Sequence, residues 1–238
     1  MRIILKIKRY NPESGREPYE QTYETSANPT DRLLSVLMGI KQKTDLSLSF
    51  RKSCAHGVCG SDAMRINGKE RLACKTLVQD VAETDGAIIT IEPLRHFPVL
   101  RDLIVQQSSF FDKYRSVKPF LINEEPPPEK ERIQSSEQRS MFDDPTSCIL
   151  CLACFSACPV FDENVRFIGP AIIAQAFRFN EDSRDRGFDA RLEALDTTDG
   201  IWACENHFEC TKNCPRGIKV TKWINRTKKR ISEHKENN

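Results

Sequence analysis

Along the first hundred residues, apolar positions recur at short spacing. Ile3, Leu5 and Ile7 alternate with Lys6 and Lys8, which predicts a half-buried strand. Asn11-Pro12 through Gly15 marks a turn, and Tyr19, Gln21 and Tyr23 begin a returning strand. Leu33, Leu34, Leu37 and Met38 then repeat at helical spacing, with Thr30 or Asp31 placed to cap the start. Asn67-Gly68 between Met64-Arg65-Ile66 and Arg71-Leu72-Ala73 predicts a tight hairpin. The run Ala87 to Ile91 suits a central strand.

After residue 105 the period changes. Phe110, Phe111, Tyr114 and Val117 share one helix face. The polar stretch Asn123 to Ser140, broken by Pro126-Pro127-Pro128, reads as a surface connection. Pro170 suits the first turn of a helix running through Phe179, and Gly187 is placed to stop the chain after Glu181 to Arg186. Val220, Trp223, Ile224 and Ile231 mark a last amphipathic helix. These patterns predict two domains, 1–105 and 106–238.

Composition narrows the function. The 238 residues are 29% charged with a net charge of +2, which gives no whole-chain argument for nucleic acid, and the 8% aromatic content shows no basic stripe with interleaved rings. Nine Lys or Arg stand against one acid between Lys212 and Lys235, either as a solvated helix end or as a face for an acidic partner or anionic membrane. The N-terminus MRIILKIKRY lacks the apolar core of a secretory signal. No stretch approaches the ~20 apolar residues of a membrane span. The expectation is therefore a cytoplasmic chain, attached to any membrane through partners. Ten cysteines in such a compartment point to metal rather than disulfides.

The cysteines fall into three groups. Cys54-x4-Cys59 with Cys74 fits a plant-type [2Fe–2S] loop, and Asp62 stands where the third thiolate belongs. Position favours Asp62 as an oxygen ligand, the alternative being a hydrogen bond beside the site. Gly57 and Gly60 let the loop fold so that amide N–H groups approach the cluster sulfurs, while His56 reads as a loop residue.

The second group, Cys148-x2-Cys151-x2-Cys154-x3-Cys158-Pro159, is the bacterial ferredoxin run, whose fourth cysteine serves a second cluster. Zinc would separate two C-x2-C knuckles by a longer interval. The third group, Cys204-x5-Cys210-x3-Cys214-Pro215, repeats that run with His207 in the middle position. Crossing the last cysteines assigns Cys148, Cys151, Cys154 and Cys214 to a [4Fe–4S] cluster. Cys158, Cys204 and Cys210 remain, and three thiolates favour [3Fe–4S]. Three other roles stay open for His207: ligand to a fourth iron, proton-handling group beside a quinone, or surface residue.

With these groups in view, the chain resembles the iron–sulfur subunit of succinate dehydrogenase and fumarate reductase over nearly its full length. The resemblance rests on Ser53 to Ser61, Leu72-Ala73-Cys74, Arg101-Asp102-Leu103, Cys148 to Pro159, Phe167 to Pro170, Asn180 to Asp185 and Cys204 to Pro215. It implies an α+β protein: a β-grasp, plant-type ferredoxin-like domain followed by an all-α dicluster domain. It also implies a flavoprotein partner with FAD, membrane-anchor subunits for which cytochrome b is one form, and electron relay to quinone on the cytoplasmic face of the cell membrane. Pro159 and His207 fall on the quinone side. The loop Phe161 to Asn164 lacks the tryptophan of many ubiquinone-using members, and with Trp202 and Asn180 to Asp185 it looks closer to menaquinone-linked fumarate reductases. The competing readings are the electron-transfer subunit of another flavoenzyme, such as thiol:fumarate reductase, and a zinc-stabilised interaction module.

Overall fold

The structure, a computed structural model, describes residues 1–237. The chain forms two compact units, one of residues 1–107 with 149–157 and the other of residues 108–148 with the chain from 158 onward.

In the first unit, β1 (Arg2–Arg9) turns through a 3-10 element at Pro12–Ser14 and returns as β2 (Tyr19–Ser26). Helix α1 (Leu33–Lys43) follows, then a long loop, β3 (Ala63–Ile66), β4 (Lys69–Leu72) and β5 (Ala87–Glu92). The sheet order is β2-β1-β5-β3-β4, with β1 parallel to β5 and the remaining pairs antiparallel. Alternation along β1 sends Ile3, Leu5 and Ile7 inward, where all three are fully buried against Ile89, Ile91, Met64, Ile66 and the Leu33, Leu34 and Leu37 face of α1. Each such side chain contributes about 1.5–3 kcal/mol by leaving water. Asn67 and Gly68 both have positive φ (49° and 74°), the conformation a two-residue hairpin requires. The short strands β6 (Val99–Arg101) and β7 (Ile104–Val105) end the continuous part of the unit.

The start of α1 differs from expectation. Its first residue follows Arg32, and neither Thr30 nor Asp31 caps it with a side chain. Instead the Leu33 and Leu34 amides donate to the carbonyls of Thr76 and Ala73, at 2.9 and 3.1 Å. Carbonyls from the loop around Cys74 thus satisfy donors that a helix start leaves open. Asp102 performs a similar service elsewhere. It accepts from the amides of Tyr10 (3.0 Å) and Ser49 (2.8 Å) and pairs with Arg9 Nε at 3.0 Å, tying β1 to the chain that leads into the cysteine loop.

The second unit is helical: α2 (Ser108–Ser116), α3 (Ser136–Ser140) and α4 (Asp143–Thr146) precede the excursion into the first unit, which carries α5 (Ala153–Ser156). Then come α6 (Val160–Glu163), α7 (Pro170–Asn180), α8 (Phe188–Leu195), α9 (Glu209–Lys212) and α10 (Val220–Glu236). The polar connection is interrupted by α3, whose start is closed by a reciprocal Ser135–Gln138 capping box. Helix α7 is apolar nearly all round and packs on α10, with Phe177 and Trp223 ring centroids 4.8 Å apart.

Gly187 does not end a helix; it precedes α8 with φ of −92°. Its lack of a side chain matters for space, since a Cβ there would fall 2.6 Å from the Ile122 side chain and 2.8 Å from the Arg191 guanidinium. Arg191 is fully buried and makes a two-pronged pair with Asp185, at 2.7 and 2.8 Å, while donating to the Phe120 carbonyl at 2.8 Å. Asp185 in turn accepts from the amides of Ile122 and Gly187. Several bases of the C-terminal run are also engaged internally: Arg230 with Glu181 and the Asn180 carbonyl, Lys235 with Asp196, and Lys228 with the Cys204 carbonyl.

Removing Arg191 strands a buried carboxylate, so Arg191→Ala should destabilise the second unit by about 3–5 kcal/mol in denaturant titrations followed through Trp223. Burial alone would raise the Asp185 pKa, but the hydrogen bonds from Arg191, Ile122 and Gly187 hold it below the usual carboxylate range. Its contribution is therefore fully present above about pH 4 and is lost as pH falls through the depressed folded value. In acid titrations of stability, Asp185→Asn should flatten that part of the curve relative to wild type.

Candidate functional site

The first cysteine loop lies between α1 and β3. Cys54 and Cys59 bring their sulfurs to 3.1 Å without a covalent link, and the amides of His56 and Cys59 point at Cys54 Sγ (3.5 and 3.3 Å). Those amides, with the neighbouring Cys59 thiol, pull the Cys54 pKa down to about 6, so the group is a ready thiolate. Ala55, Gly57 and Gly60 all take positive φ, which turns the amides inward. His56 points back to the Cys54 carbonyl at 2.6 Å and takes the place of a loop residue.

Cys74 arrives from the chain beyond β4 and is fully buried. Burial and the adjoining Asp62 carboxylate push its thiol up to about 12. Asp62 is itself 2% exposed; its Oδ2 accepts from the Cys74 amide at 2.5 Å, while Oδ1 is buried with no hydrogen-bond partner. A buried carboxylate oxygen left unpaired beside a buried thiol is costly, and a cation held by both would relieve it. The donor set of Cys54, Cys59, Cys74 and Asp62 therefore fits an iron pair.

The second and third cysteine runs share one backbone conformation. In the run from Cys148, Leu150 and Leu152 take positive φ (51° and 68°), and α5 begins at Ala153. In the run from Cys204, Asn206 and Phe208 do the same (60° and 65°), and α9 begins at Glu209. The left-handed residues and the short helix fall at identical offsets, so His207 occupies the place that Cys151 holds in the other run. Its ring does not behave as a buried ligand: Nε2 lies 3.0 Å from Glu205 Oε2, and the side chain is 43% exposed.

Of the remaining predicted ligands, Cys151 and Cys154 belong to the first unit, and Cys148, Cys158, Cys204, Cys210 and Cys214 to the second. Cys158, Cys204 and Cys210 line one narrow pocket of only about 10 Å³, which Pro159 and His207 also line. Burial, with the neighbouring Cys210 and Cys204, pushes Cys158 up to about 12, and burial likewise raises Cys210. Two buried thiols that resist ionisation, with Cys204 beside them, fit a site where iron supplies the missing positive charge. Among the described residues, no group of three His, Cys, Asp or Glu side chains is drawn tightly enough to hold a single metal ion.

Sequence reasoning missed three contributors. Arg32 donates to the Cys74 carbonyl, Thr221 Oγ1 lies 3.3 Å from Cys210 Sγ, and Lys228 holds the Cys204 carbonyl at 2.7 Å. None carried a local signal, because each reaches its loop from a distant element.

A β-grasp unit with a cysteine loop, joined to a helical unit with two ferredoxin-like runs, defines an iron–sulfur electron-transfer protein. Residues 4–112 match the 2Fe-2S iron-sulfur cluster binding domain, and residues 144–218 match the 4Fe-4S dicluster domain. The chain is 38% identical to the succinate dehydrogenase iron-sulfur subunit of Coxiella burnetii, over 98% of its own length and 99% of that protein. It is 40% identical to the fumarate reductase iron-sulfur subunit of Mycobacterium tuberculosis, over 98% of its length and 94% of the relative. Its fold matches a chain of the Mycobacterium smegmatis Sdh1 complex in the apo form with a TM-score of 0.87 at 26% identity, covering 99% of this chain and 97% of the other. The chain belongs to the family of succinate dehydrogenase and fumarate reductase iron–sulfur subunits, components of an oxidoreductase complex.

Replacing Asp62 separates its two roles. With Asp62 as a ligand, Asp62→Cys should retain the [2Fe–2S] signal and Asp62→Ala should lose it, as read by iron content and the spectrum of the reduced protein. Unchanged cluster content in Asp62→Ala would leave Asp62 as a hydrogen-bonding residue.

Proposed function

We propose that this chain relays electrons between an FAD-bearing flavoprotein and quinone through [2Fe–2S], [4Fe–4S] and [3Fe–4S] clusters in that order. The ligands in this reading are Cys54, Cys59, Asp62 and Cys74; Cys148, Cys151, Cys154 and Cys214; and Cys158, Cys204 and Cys210. Domains 1–105 and 106–238 carry the first cluster and the other two. The supporting observation is that the third run repeats the winding of the second, yet offers an exposed His207 paired with Glu205 where Cys151 offers a thiol. Three thiolates then hold three irons, and the fourth corner of the cubane stays open.

Pro159 and His207 line the same narrow pocket as the three thiols, which supports a quinone side there. Among the described residues no helix is long and apolar enough to cross a membrane. Attachment to the cytoplasmic face would then come through anchor subunits, with cytochrome b as one form of anchor. The lean to menaquinone and fumarate reduction rests on the loop Phe161 to Asn164, which has no tryptophan, together with Trp202 and Asn180 to Asp185.

Redox-titrated EPR on the purified complex tests the relay. The oxidised protein should show a [3Fe–4S] signal that disappears on reduction, and His207→Cys should convert it to a cubane signal seen only after reduction. An oxidised sample that is silent, with a cubane signal destroyed in His207→Ala, would instead make His207 a ligand.

A further inference from the structure

Gly57 and Gly60 share a loop and a left-handed conformation (φ of 83° and 68°), yet they face different surroundings. The three nearest neighbours of a Cβ on Gly57 all belong to the Lys75 side chain, at 2.7 Å for Cδ and 2.8 Å for Cγ. A rotamer change of that exposed lysine can move them. A Cβ on Gly60 would lie 2.7 Å from Cys151 Cβ, 3.1 Å from Cys151 Cα and 3.2 Å from the Ile149 carbonyl oxygen. Ordinary carbon contacts sit near 3.5–4.0 Å, and two of these three neighbours are backbone atoms that no rotamer change can move. The missing side chain is thus what lets the chain next to Cys59 rest on Cys151.

The far end of the same segment is also tied down. Ser156 is fully buried and donates to Glu70 Oε1 of β4 at 2.8 Å, while accepting from the Arg95 amide at 2.9 Å. Arg95 Nε donates to the Ser156 carbonyl at 3.2 Å, and Arg65 of β3 lies 3.5 Å from Glu70. Buried polar groups joined in this way hold one geometry, because each alternative leaves one of them unpaired.

We propose that Gly60 and the Ser156–Glu70 bond are positioning residues that set the gap between the first cysteine loop and the Cys151–Cys154 turn, and so between the first two clusters of the relay. The inference rests on the ligand assignment proposed above. Electron tunnelling falls off exponentially with the gap between centres, so displacement of one loop by the width of a methyl group slows the step without altering any ligand.

Magnetic coupling reads the gap directly, since dipolar broadening falls with the inverse cube of distance. In the fully reduced complex the [4Fe–4S] cluster should broaden the [2Fe–2S] EPR signal. Gly60→Ala should weaken that broadening with iron and sulfide content unchanged, whereas Gly57→Ala, equally strained at φ, should keep it. Wild-type broadening in Gly60→Ala, or equal loss in Gly57→Ala, would overturn the proposal. Should Gly60→Ala fail to assemble, Ser156→Ala decides: a widened spread of couplings supports the clamp, and wild-type coupling overturns it. A wild-type complex without the second cluster, recognised by its iron and sulfide content, would overturn the ligand assignment and this inference with it.

Discussion

Iron–sulfur clusters need thiolates to converge from a short piece of chain while amide N–H groups face the same point, and an L-residue backbone turns that tightly only through left-handed positions. Among the described residues, five of the nine non-glycine residues with positive φ lie in the cysteine loops: Ala55, Leu150, Leu152, Asn206 and Phe208. Each costs roughly 1–2 kcal/mol relative to an ordinary conformation. Such turns do not persist alone, so the packed elements around them have to hold them.

In the first unit that support comes from the sheet and α1. The helix start borrows carbonyls from the Cys74 loop, and Asp102 anchors the approach to Cys54. In the second, the packing of α10 on α7 and α9 fixes the surroundings of the third run. Thr221 at the start of α10 reaches Cys210, and Lys228 one to two turns later holds the Cys204 carbonyl. The helix that looked like a basic tail spends part of its charge on the loops and termini beside it.

The pairing of function with geometry is clearest where the two ferredoxin-like runs diverge. Their backbones coincide in offset and winding, so the difference between them is chemical: a thiol at 151, an imidazole turned toward Glu205 at 207. The two glycines of the first loop make a similar contrast. They share a conformation, but one needs its missing Cβ for a backbone neighbour and the other does not.

Much of this was legible in the residue order. The alternation of Ile3, Leu5 and Ile7, the Asn67-Gly68 turn and the cysteine spacings follow from local periods and from ligand geometry, which a sequence carries directly. The α1 cap, the role of Gly187 and the membership of residues 149–157 in the first unit were not legible. Each depends on a partner brought from far along the chain: Thr76 to Leu33, Ile122 and Arg191 to Gly187, Glu70 to Ser156. The sequence by itself determined which cysteines stand at cluster-ligand spacing and that His207 takes the middle position of the third run, because both are properties of a few consecutive residues. Only the tertiary structure decided which carboxylate oxygen is left buried and unpaired, and which glycine must stay bare, because burial and close approach belong to the packed whole.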